Sequence, residues 1–390
     1  MRDRILSVLH QINENISTLS TEQAGLMSGD AGIRLFSYEY AKFFNLSPDA
    51  HTQASLLEGL VSSSYELESP TFCGGKAGVN WFFNYLSNDH IISKEDLAFI
   101  CDDDEALARE ALEMTGRKNY DYLHGGTGVF YALLCTETFE KETYFHQFFH
   151  LLTSLVEESP GKNILPYFSM ENYRLKRSEV NLSLSHGITS VLKFCMECIK
   201  KKVCPEPANR LAQMIADYLY INHGDGSFGS YYTSIVDGNS NFSPSRLAWC
   251  YGDLTIGYML LQYGLLTDDV KIKKLAIKVL THTTHRTNDR NEIIIDAGIC
   301  HGTAGVTHVY HKLCTLYNLT EFENVRDYWL SQTLKKIEQT DWQAGYRKYN
   351  GYFKTYSEDH TLLEGSAGIG LVLLSYLSAD FNWDYLLMLN

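Results

Sequence analysis

The chain has 390 residues, 45% of them hydrophobic and 21% charged, and its formal net charge is −14. This composition supports a large apolar core that needs no disulfide framework. The acidic charge excludes a dominant nucleic-acid role, because phosphate binding depends on clustered lysine and arginine. No run of 18 apolar residues occurs and the charged N-terminus does not resemble a secretory signal, so we expect no integral membrane segment. The odd number of cysteines, nine, indicates a reducing compartment, and we expect a cytoplasmic protein.

A glycine motif organises the whole chain. It consists of a glycine, two further residues, a small residue, and then isoleucine or valine, and it occurs seven times. The first glycines of the motif are Gly29, Gly75, Gly125, Gly187, Gly252, Gly302 and Gly365. Apolar residues with helical spacing follow most copies, as Val79, Phe82 and Leu86 do, although Ser37 and Thr136 interrupt the first and third stripes. We therefore expect each motif to begin a helix, with its small residues allowing close packing against another backbone.

The intervals between motifs predict a second layer of helices. Each holds one more amphipathic segment, such as residues 209–224 and 271–287, whose charged face suits an outer, solvated layer. Seven such helix pairs would form an open solenoid or close into a ring. Small residues at the same end of every inner helix favour the ring, with all glycine turns on one rim. We predict an all-α fold in a single domain over residues 1–390.

Three intervals are longer than the rest and predict loops or small insertions. They lie near residues 159–179, 223–245 and 341–359. The second carries turn signals around short β-prone runs. Long loops in compact folds often carry function, and aromatic, glycine-rich loops suit a peptide-binding surface.

Two neighbouring motifs carry soft metal ligands. Cys250 lies two residues before Gly252, and Cys300 and His301 directly precede Gly302. A lone buried cysteine or histidine is more simply explained as part of the core, but three such ligands in one register favour a metal site. If the glycine turns share a rim, the three side chains converge. Two thiolates and an imidazole with one open position match a catalytic zinc site, and thiolates select zinc over magnesium or calcium.

Further polar residues occupy the same rim by their spacing from the motif glycines. His186 and His124 each directly precede a first glycine, and Asp121 lies three residues before His124. Glu364 directly precedes the seventh, and Arg246 lies four residues before the first cysteine ligand. Such groups around a metal are the components of general acid–base chemistry.

These features resemble the lanthionine synthetase C-like (LanC) family over about residues 26–377. The resemblance rests on the sevenfold motif together with residues 249–252 (Trp-Cys-Tyr-Gly) and 300–302 (Cys-His-Gly). It implies an α/α toroid of seven inner and seven outer helices. It also implies the family's reaction, in which peptide cysteine thiols add to dehydroalanine or dehydrobutyrine and form thioether rings.

The resemblance further implies a set of site residues. One zinc ion per chain would be bound by Cys250, Cys300 and His301. The catalytic residues would be His186, Asp121, Arg246 and Tyr251. Two departures from the family pattern exist: Ser190 and Thr255 replace the second motif glycine, and no proline follows Gly252. They change the backbone packing expected at these two helix starts, but they remove none of the implied site residues.

Each of the implied catalytic residues suits a step of the reaction. Attack of sulfur on the β-carbon leaves an enolate that needs a proton, and His186 is the first choice of acid. Asp121 would orient or charge-balance a neighbouring group, and Arg246 would stabilise charge. Tyr251 would hydrogen-bond the substrate or a zinc-bound sulfur.

The expected substrate is a dehydrated precursor peptide. About 25 residues precede the first repeat, too few for a dehydratase domain, so we expect a separate dehydratase and a peptide transporter as partners, through which any membrane association would arise. Three alternatives remain open: glutathione addition to dehydroamino acids in proteins, a non-catalytic peptide-binding scaffold, and a prenyltransferase-like thiol alkylation enzyme. The last would need a basic pocket for diphosphate, and the rim offers little beyond Arg246.

Overall fold

The computed structural model describes most of the chain. The described residues are 1–19, 21, 23–46, 50–101, 103–136, 141–157, 163–167, 179–236, 242–288, 292, 294–336 and 346–390. Parts of the three predicted loops lie outside them, namely residues 159–162, 168–178, 237–241 and 341–345.

The described helices form two concentric layers. The inner helices are Asp30–Phe43, Lys76–Asn88, Gly126–Leu133, Ile188–Lys201, Asp253–Leu266, Thr303–Leu316 and Ser366–Ser378. The outer helices are Arg2–Ile16, Ala50–Tyr65, Asp104–Gly116, Lys141–Glu157, Pro205–Ile221, Val270–Thr283 and Glu323–Lys336, with a short helix at Lys94–Ile100. Inner helices contact one another in chain order, and the last packs against the first. The predicted ring of helices is therefore confirmed.

Burial separates the two layers as the sequence pattern predicts. Nearly every residue of the inner helix Asp253–Leu266 is buried. In the outer helix Pro205–Ile221, buried residues such as Leu211, Ile215 and Leu219 recur at helical spacing, while the opposite face is exposed. An outer helix therefore contributes one apolar stripe to the core, whereas an inner helix is packed on all sides.

The motif glycines are explained by close backbone contacts. Each inner helix begins directly after a first glycine of the motif. A Cβ atom at Gly75 would lie 2.2 Å from the Ser69 carbonyl oxygen, and one at Gly78 would lie 2.1 Å from the Phe72 carbonyl oxygen. The motif therefore packs against its own preceding turn. In the fifth repeat the backbone differs, because Gly252 has a φ of +98°, which only glycine adopts readily.

A ring of backbone hydrogen bonds joins the repeats at the rim, which we define as the seven segments directly before the first motif glycines. In six junctions between adjacent repeats, the residue two before one glycine donates its N–H to the equivalent carbonyl of the next repeat. These bonds are Met27–Cys73, Cys73–Leu123, Ser185–Cys250, Cys250–Cys300, Cys300–Leu363 and Leu363–Met27, with lengths of 2.8 to 3.3 Å. Between Leu123 and Ser185, both described residues, the corresponding bond is not formed. The junction of repeats three and four is thus the exception.

In the described part of the chain, two pairs of short strands are present in addition to the ring of helices. Strands β1 (Val180–Asn181) and β2 (Ile235–Val236) pair antiparallel. Strands β3 (Arg347–Asn350) and β4 (Thr355–Glu358) form a hairpin within the predicted 341–359 loop. Short 3-10 helices lie at Thr320–Phe322 and Asn382–Leu387. None of the described helices has the length and apolarity needed to cross a membrane.

The last described segment, residues 382–390, fills the centre of the ring, and we call it the central plug. The indole of Trp249 donates to Leu387 O (2.9 Å), and the Tyr258 hydroxyl donates to Leu389 O (2.9 Å). Asp384, fully buried, pairs with Lys312 (2.5 Å) and His308 (2.7 Å) of one inner helix. The plug thus binds several inner helices beneath the rim.

Candidate active site

The rim brings the chemically distinctive side chains together. The residues directly before the first motif glycines are Ser28, Gly74, His124, His186, Tyr251, His301 and Glu364. Two residues before those glycines, the ring of backbone hydrogen bonds fixes Cys250 and Cys300 side by side, since Cys250 N donates to Cys300 O at 3.1 Å. Residues at equivalent positions of adjacent repeats therefore become neighbours in space.

The three predicted metal ligands converge. Their ligand atoms, on Cys250, Cys300 and His301, all lie within 4.8 Å of one another. Cys250 is buried, and Cys300 and His301 are half-buried. Two thiols and one imidazole at this separation fit the donor set of a tetrahedral zinc site that keeps one position open. The residues present therefore fit the metal that the sequence implies.

The electrostatics of the cluster favour a thiolate. A hydrogen bond from Cys300 lowers the pKa of Cys250; burial opposes this, and His301 and Arg246 reinforce it. The same bond, together with burial, raises the pKa of Cys300. The pair of thiols therefore loses its first proton more readily than an isolated cysteine would. Thiolates are the form of cysteine that binds metals.

Asp296 supports the third ligand and was not predicted. Its Oδ2 atom lies 3.8 Å from His301 Nε2 and accepts the backbone N–H of Tyr349 at 3.0 Å. The pKa of His301 is raised by its hydrogen bond to Cys250, against burial, and by the charge of Asp296. Asp296 thus links the candidate metal cluster to hairpin β3–β4.

His186 and Asp121 meet at the junction that lacks the backbone bond. His186 Nδ1 lies 2.7 Å from Asp121 Oδ2, while Asp121 Oδ1 accepts the backbone N–H of His124 at 2.8 Å. Burial opposes a charge on His186, but the hydrogen bond and the charge of Asp121 prevail and raise its pKa. Asp121 thus holds the imidazole of His186 in one orientation and favours its protonated form.

The other two predicted catalytic residues flank Cys250 in the sequence. The Tyr251 hydroxyl accepts a hydrogen bond from Asn181 Nδ2 at 3.3 Å, and burial raises the pKa of Tyr251, which keeps the phenol neutral. Arg246 is half-buried, and its charge reaches Cys250. Glu364 is held in an ion pair with Lys348 of strand β3.

The unpredicted Asp296 and Asn181 share a sequence signal. Both lie six residues before a first motif glycine, and Ser69, Asn119 and Asp359 occupy the same position in other repeats. Asn181 and Asp296 each accept the N–H two residues ahead, at 2.9 and 3.2 Å, as in an Asx turn. Recurrence of short polar residues at this position is therefore a turn signal that also supplies groups to the site.

Comparisons with known proteins agree with this architecture. Nisin cyclase has a TM-score of 0.73 at 20% sequence identity, over 99% of this chain and 96% of that chain. A possible member of the GH105 family from Salmonella enterica subsp. enterica serovar Paratyphi A has a TM-score of 0.50 at 11% identity, over 97% of this chain and 94% of that chain. No curated protein sequence matches the chain. Residues 20–388 match the family described as lanthionine synthetase C-like protein. Because this match spans nearly the whole sequence, the chain belongs to the lanthionine synthetase C-like family.

Proposed function

We propose that this protein is a zinc-dependent lanthipeptide cyclase. It adds cysteine thiols of a dehydrated precursor peptide to dehydroalanine or dehydrobutyrine and forms (methyl)lanthionine thioether rings. The observation that carries the proposal is the cluster of Cys250, Cys300 and His301 on the rim that also holds the His186–Asp121 pair. Family membership and the name of the structurally similar nisin cyclase support the same reaction.

The substrate thiol is activated at the site formed by Cys250, Cys300 and His301. A zinc ion held by Cys250, Cys300 and His301 would bind that thiol at its open position and keep it as a thiolate near neutral pH. The chain's own contribution is to hold its two cysteines in place. Backbone hydrogen bonds at both ends of Cys300 do so, one from Cys250 N and one to Leu363 O.

His186 supplies the proton that completes the addition. When substrate sulfur bonds to the β-carbon, the electron pair of the carbon–carbon double bond passes into the carbonyl and leaves an enolate. His186 Nδ1 is hydrogen-bonded to Asp121, so Nε2 is the nitrogen that faces the substrate. Nε2 protonates the α-carbon of the enolate. General acid catalysis of this kind contributes about 10²- to 10⁴-fold in rate.

The flanking residues orient the substrate and stabilise charge. The neutral hydroxyl of Tyr251 accepts from Asn181 and keeps its own proton for a substrate oxygen or sulfur. Arg246 places a positive charge near Cys250, where negative charge accumulates during the reaction. The peptide would come from a separate dehydratase, and a peptide transporter would take the product.

The proposal is tested with purified wild type, Cys300→Ala and His186→Asn, and with His150→Asn as control. His150 is exposed on the outer helix Lys141–Glu157. Zinc content and thioether formation are measured on the same preparation, using a peptide that contains dehydroalanine and cysteine. We expect Cys300→Ala to lose the zinc ion bound by Cys250, Cys300 and His301, and to lose ring formation with it. His186→Asn should keep its zinc but form rings about 10²-fold more slowly or worse.

Specific results would contradict the proposal. A zinc content that is the same in Cys300→Ala as in wild type would show that Cys250, Cys300 and His301 do not bind zinc. Loss of zinc from His186→Asn would make His186 a ligand and leave no open position for the substrate thiol. If the protein preferred free glutathione to the peptide thiol as the nucleophile, its activity would be glutathione addition to dehydroamino acids and not ring formation.

A further inference from the structure

A second group of metal-ligating side chains lies on the outer layer, and we call it the outer cluster. It consists of Glu142, His146 and Cys204, whose ligand atoms all lie within 4.8 Å of one another. Glu142 and His146 are exposed on the outer helix Lys141–Glu157, one turn apart on the same face. Cys204 directly precedes the outer helix Pro205–Ile221 of the next repeat and is buried.

The distances within the outer cluster match those of a tetrahedral zinc site. Glu142 Oε2 lies 3.4 Å from His146 Nε2 and 3.6 Å from Cys204 Sγ. Zinc–ligand bond lengths place two ligands of a tetrahedron about 3.4 Å apart for oxygen and nitrogen, and about 3.6 Å apart for oxygen and sulfur. Two of the three separations therefore need no adjustment. The third pair, His146 and Cys204, lies within 4.8 Å, and the His146 side chain, 60% exposed, has room to reorient.

The surroundings suit an exchangeable ion. Cys204 is buried, and its thiol donates to the backbone and side-chain oxygens of Glu142 at 3.7 and 3.6 Å, so the sulfur is positioned before any metal arrives. The two exposed ligands, Glu142 and His146, face solvent and leave room for a water as the fourth ligand. A mixed set of thiolate, imidazole and carboxylate selects zinc or a similar transition metal over magnesium and calcium.

The outer cluster bridges the junction that the rim leaves unbonded. The helix Lys141–Glu157 belongs to repeat three and the helix Pro205–Ile221 to repeat four. At the rim of this same junction, Leu123 and Ser185 do not form the backbone hydrogen bond found at the other six. An ion on the outer layer would therefore join the two repeats at the junction where the described rim residues Leu123 and Ser185 form no backbone hydrogen bond.

We propose that Glu142, His146 and Cys204 form a second zinc site, distinct from the rim cluster, that joins repeats three and four from the outside. This inference goes beyond the proposed function and does not depend on it. Zinc binding replaces the thiol proton of Cys204 and the hydrogen bond that this thiol donates to Glu142. No covalent chemistry at the site is implied.

The test counts zinc ions per chain after equilibrium dialysis of the full chain against zinc. Wild type should bind two, and His146→Ala and Cys204→Ala should each bind one. His150→Ala is the matched control, since His150 is exposed one turn further along the same helix, and it should bind two. Zinc should raise the melting temperature of wild type further than that of His146→Ala.

The rim variant separates this inference from the proposed function. Cys300→Ala should keep one zinc, and Cys300→Ala combined with His146→Ala should keep none. A wild type that binds a single ion, lost in Cys300→Ala and kept in His146→Ala, would overturn the second site while leaving the cyclase proposal intact. Equal loss of the second ion from His150→Ala and His146→Ala would show nonspecific binding and would also overturn the second site.

Discussion

At the residue scale, one carboxylate sets the chemistry of the proposed acid. Asp121 accepts a hydrogen bond from the backbone of the glycine turn through one oxygen and meets His186 through the other. Its negative charge and hydrogen bond outweigh burial and raise the pKa of His186. A histidine acts as an acid only below its pKa, so the raised value keeps His186 active to higher pH.

Replacing Asp121 by asparagine should therefore change the pH dependence of the reaction. The amide keeps the acceptor for His124 N but loses the negative charge, so the pKa of His186 should fall. In a pH–rate profile of thioether formation, the decline at high pH should begin at a lower pH in Asp121→Asn than in wild type. Glu110→Gln, at an exposed position on an outer helix, is the control and should leave the profile unchanged. An unshifted decline in Asp121→Asn would assign the titrating group to another residue.

The sequence predicted the residues whose chemistry is unusual for their position. Cys250, Cys300 and His301 stood out because two adjacent repeats place a thiol two residues before the glycine, and the second repeat adds an imidazole directly after its thiol. Asp296 and Asn181 did not stand out, because aspartate and asparagine are common in turns. Their contacts with His301 and Tyr251 arise from how the preceding turn folds back, which residue type alone does not specify.

At the element scale, Gly78, the second motif glycine of repeat two, is required by its own preceding turn. A Cβ at Gly78 would lie 2.1 Å from Phe72 O and 2.9 Å from Leu26 Cβ of the neighbouring repeat. Backbone oxygen cannot move away as a flexible side chain can. The same position therefore fixes both the local turn and the spacing between adjacent repeats.

Gly78→Ala should destabilise the fold, whereas Gly59→Ala should not. Overpacking against a fixed backbone costs about 1–3 kcal/mol in the free energy of unfolding. A Cβ at Gly59, exposed in the outer helix Ala50–Tyr65, would meet no atom within 4 Å, and alanine there should add up to about 1 kcal/mol through helix propensity. Urea unfolding of both variants and wild type measures the difference. Similar midpoints for the two alanine variants would refute the close-contact explanation.

Elements with a periodic signal were predictable, and elements without one were not. The inner helices follow their motifs, and the predicted outer segments 209–224 and 271–287 correspond to helices Pro205–Ile221 and Val270–Thr283. Hairpin β3–β4 has strands of four residues, too short for an alternating pattern to be distinguished from a loop. The central plug has no repeat motif, because its position depends on a cavity that exists only after the ring closes.

At the scale of the whole molecule, the ring is closed at its rim and filled at its centre. The last inner helix packs on the first, and the rim bond from Leu363 N to Met27 O joins the two ends of the repeat array. The central plug then contacts side chains from several repeats, including Tyr122, Trp249 and Tyr258. Contacts between residues more than a hundred positions apart make the stability of the ring cooperative across the chain.

The plug carries a buried charge cluster whose disruption should destabilise the whole ring. Burial opposes ionisation of Asp384, but Lys312 and His308 prevail and hold its pKa below the usual value. Asp384→Asn would leave Lys312 buried without its counter-charge, at a cost of about 3–5 kcal/mol in the free energy of unfolding.

The control for this prediction is Glu113→Gln, which breaks an exposed pair with Arg117 and should cost about 0–1 kcal/mol. Removing both buried charges, in Asp384→Asn combined with Lys312→Met, should recover part of the loss, because no unpaired charge would then remain in the interior. Thermal and urea unfolding of the four proteins, wild type included, measure these differences. A double variant no more stable than Asp384→Asn would show that the loss comes from packing at the plug and not from the stranded charge.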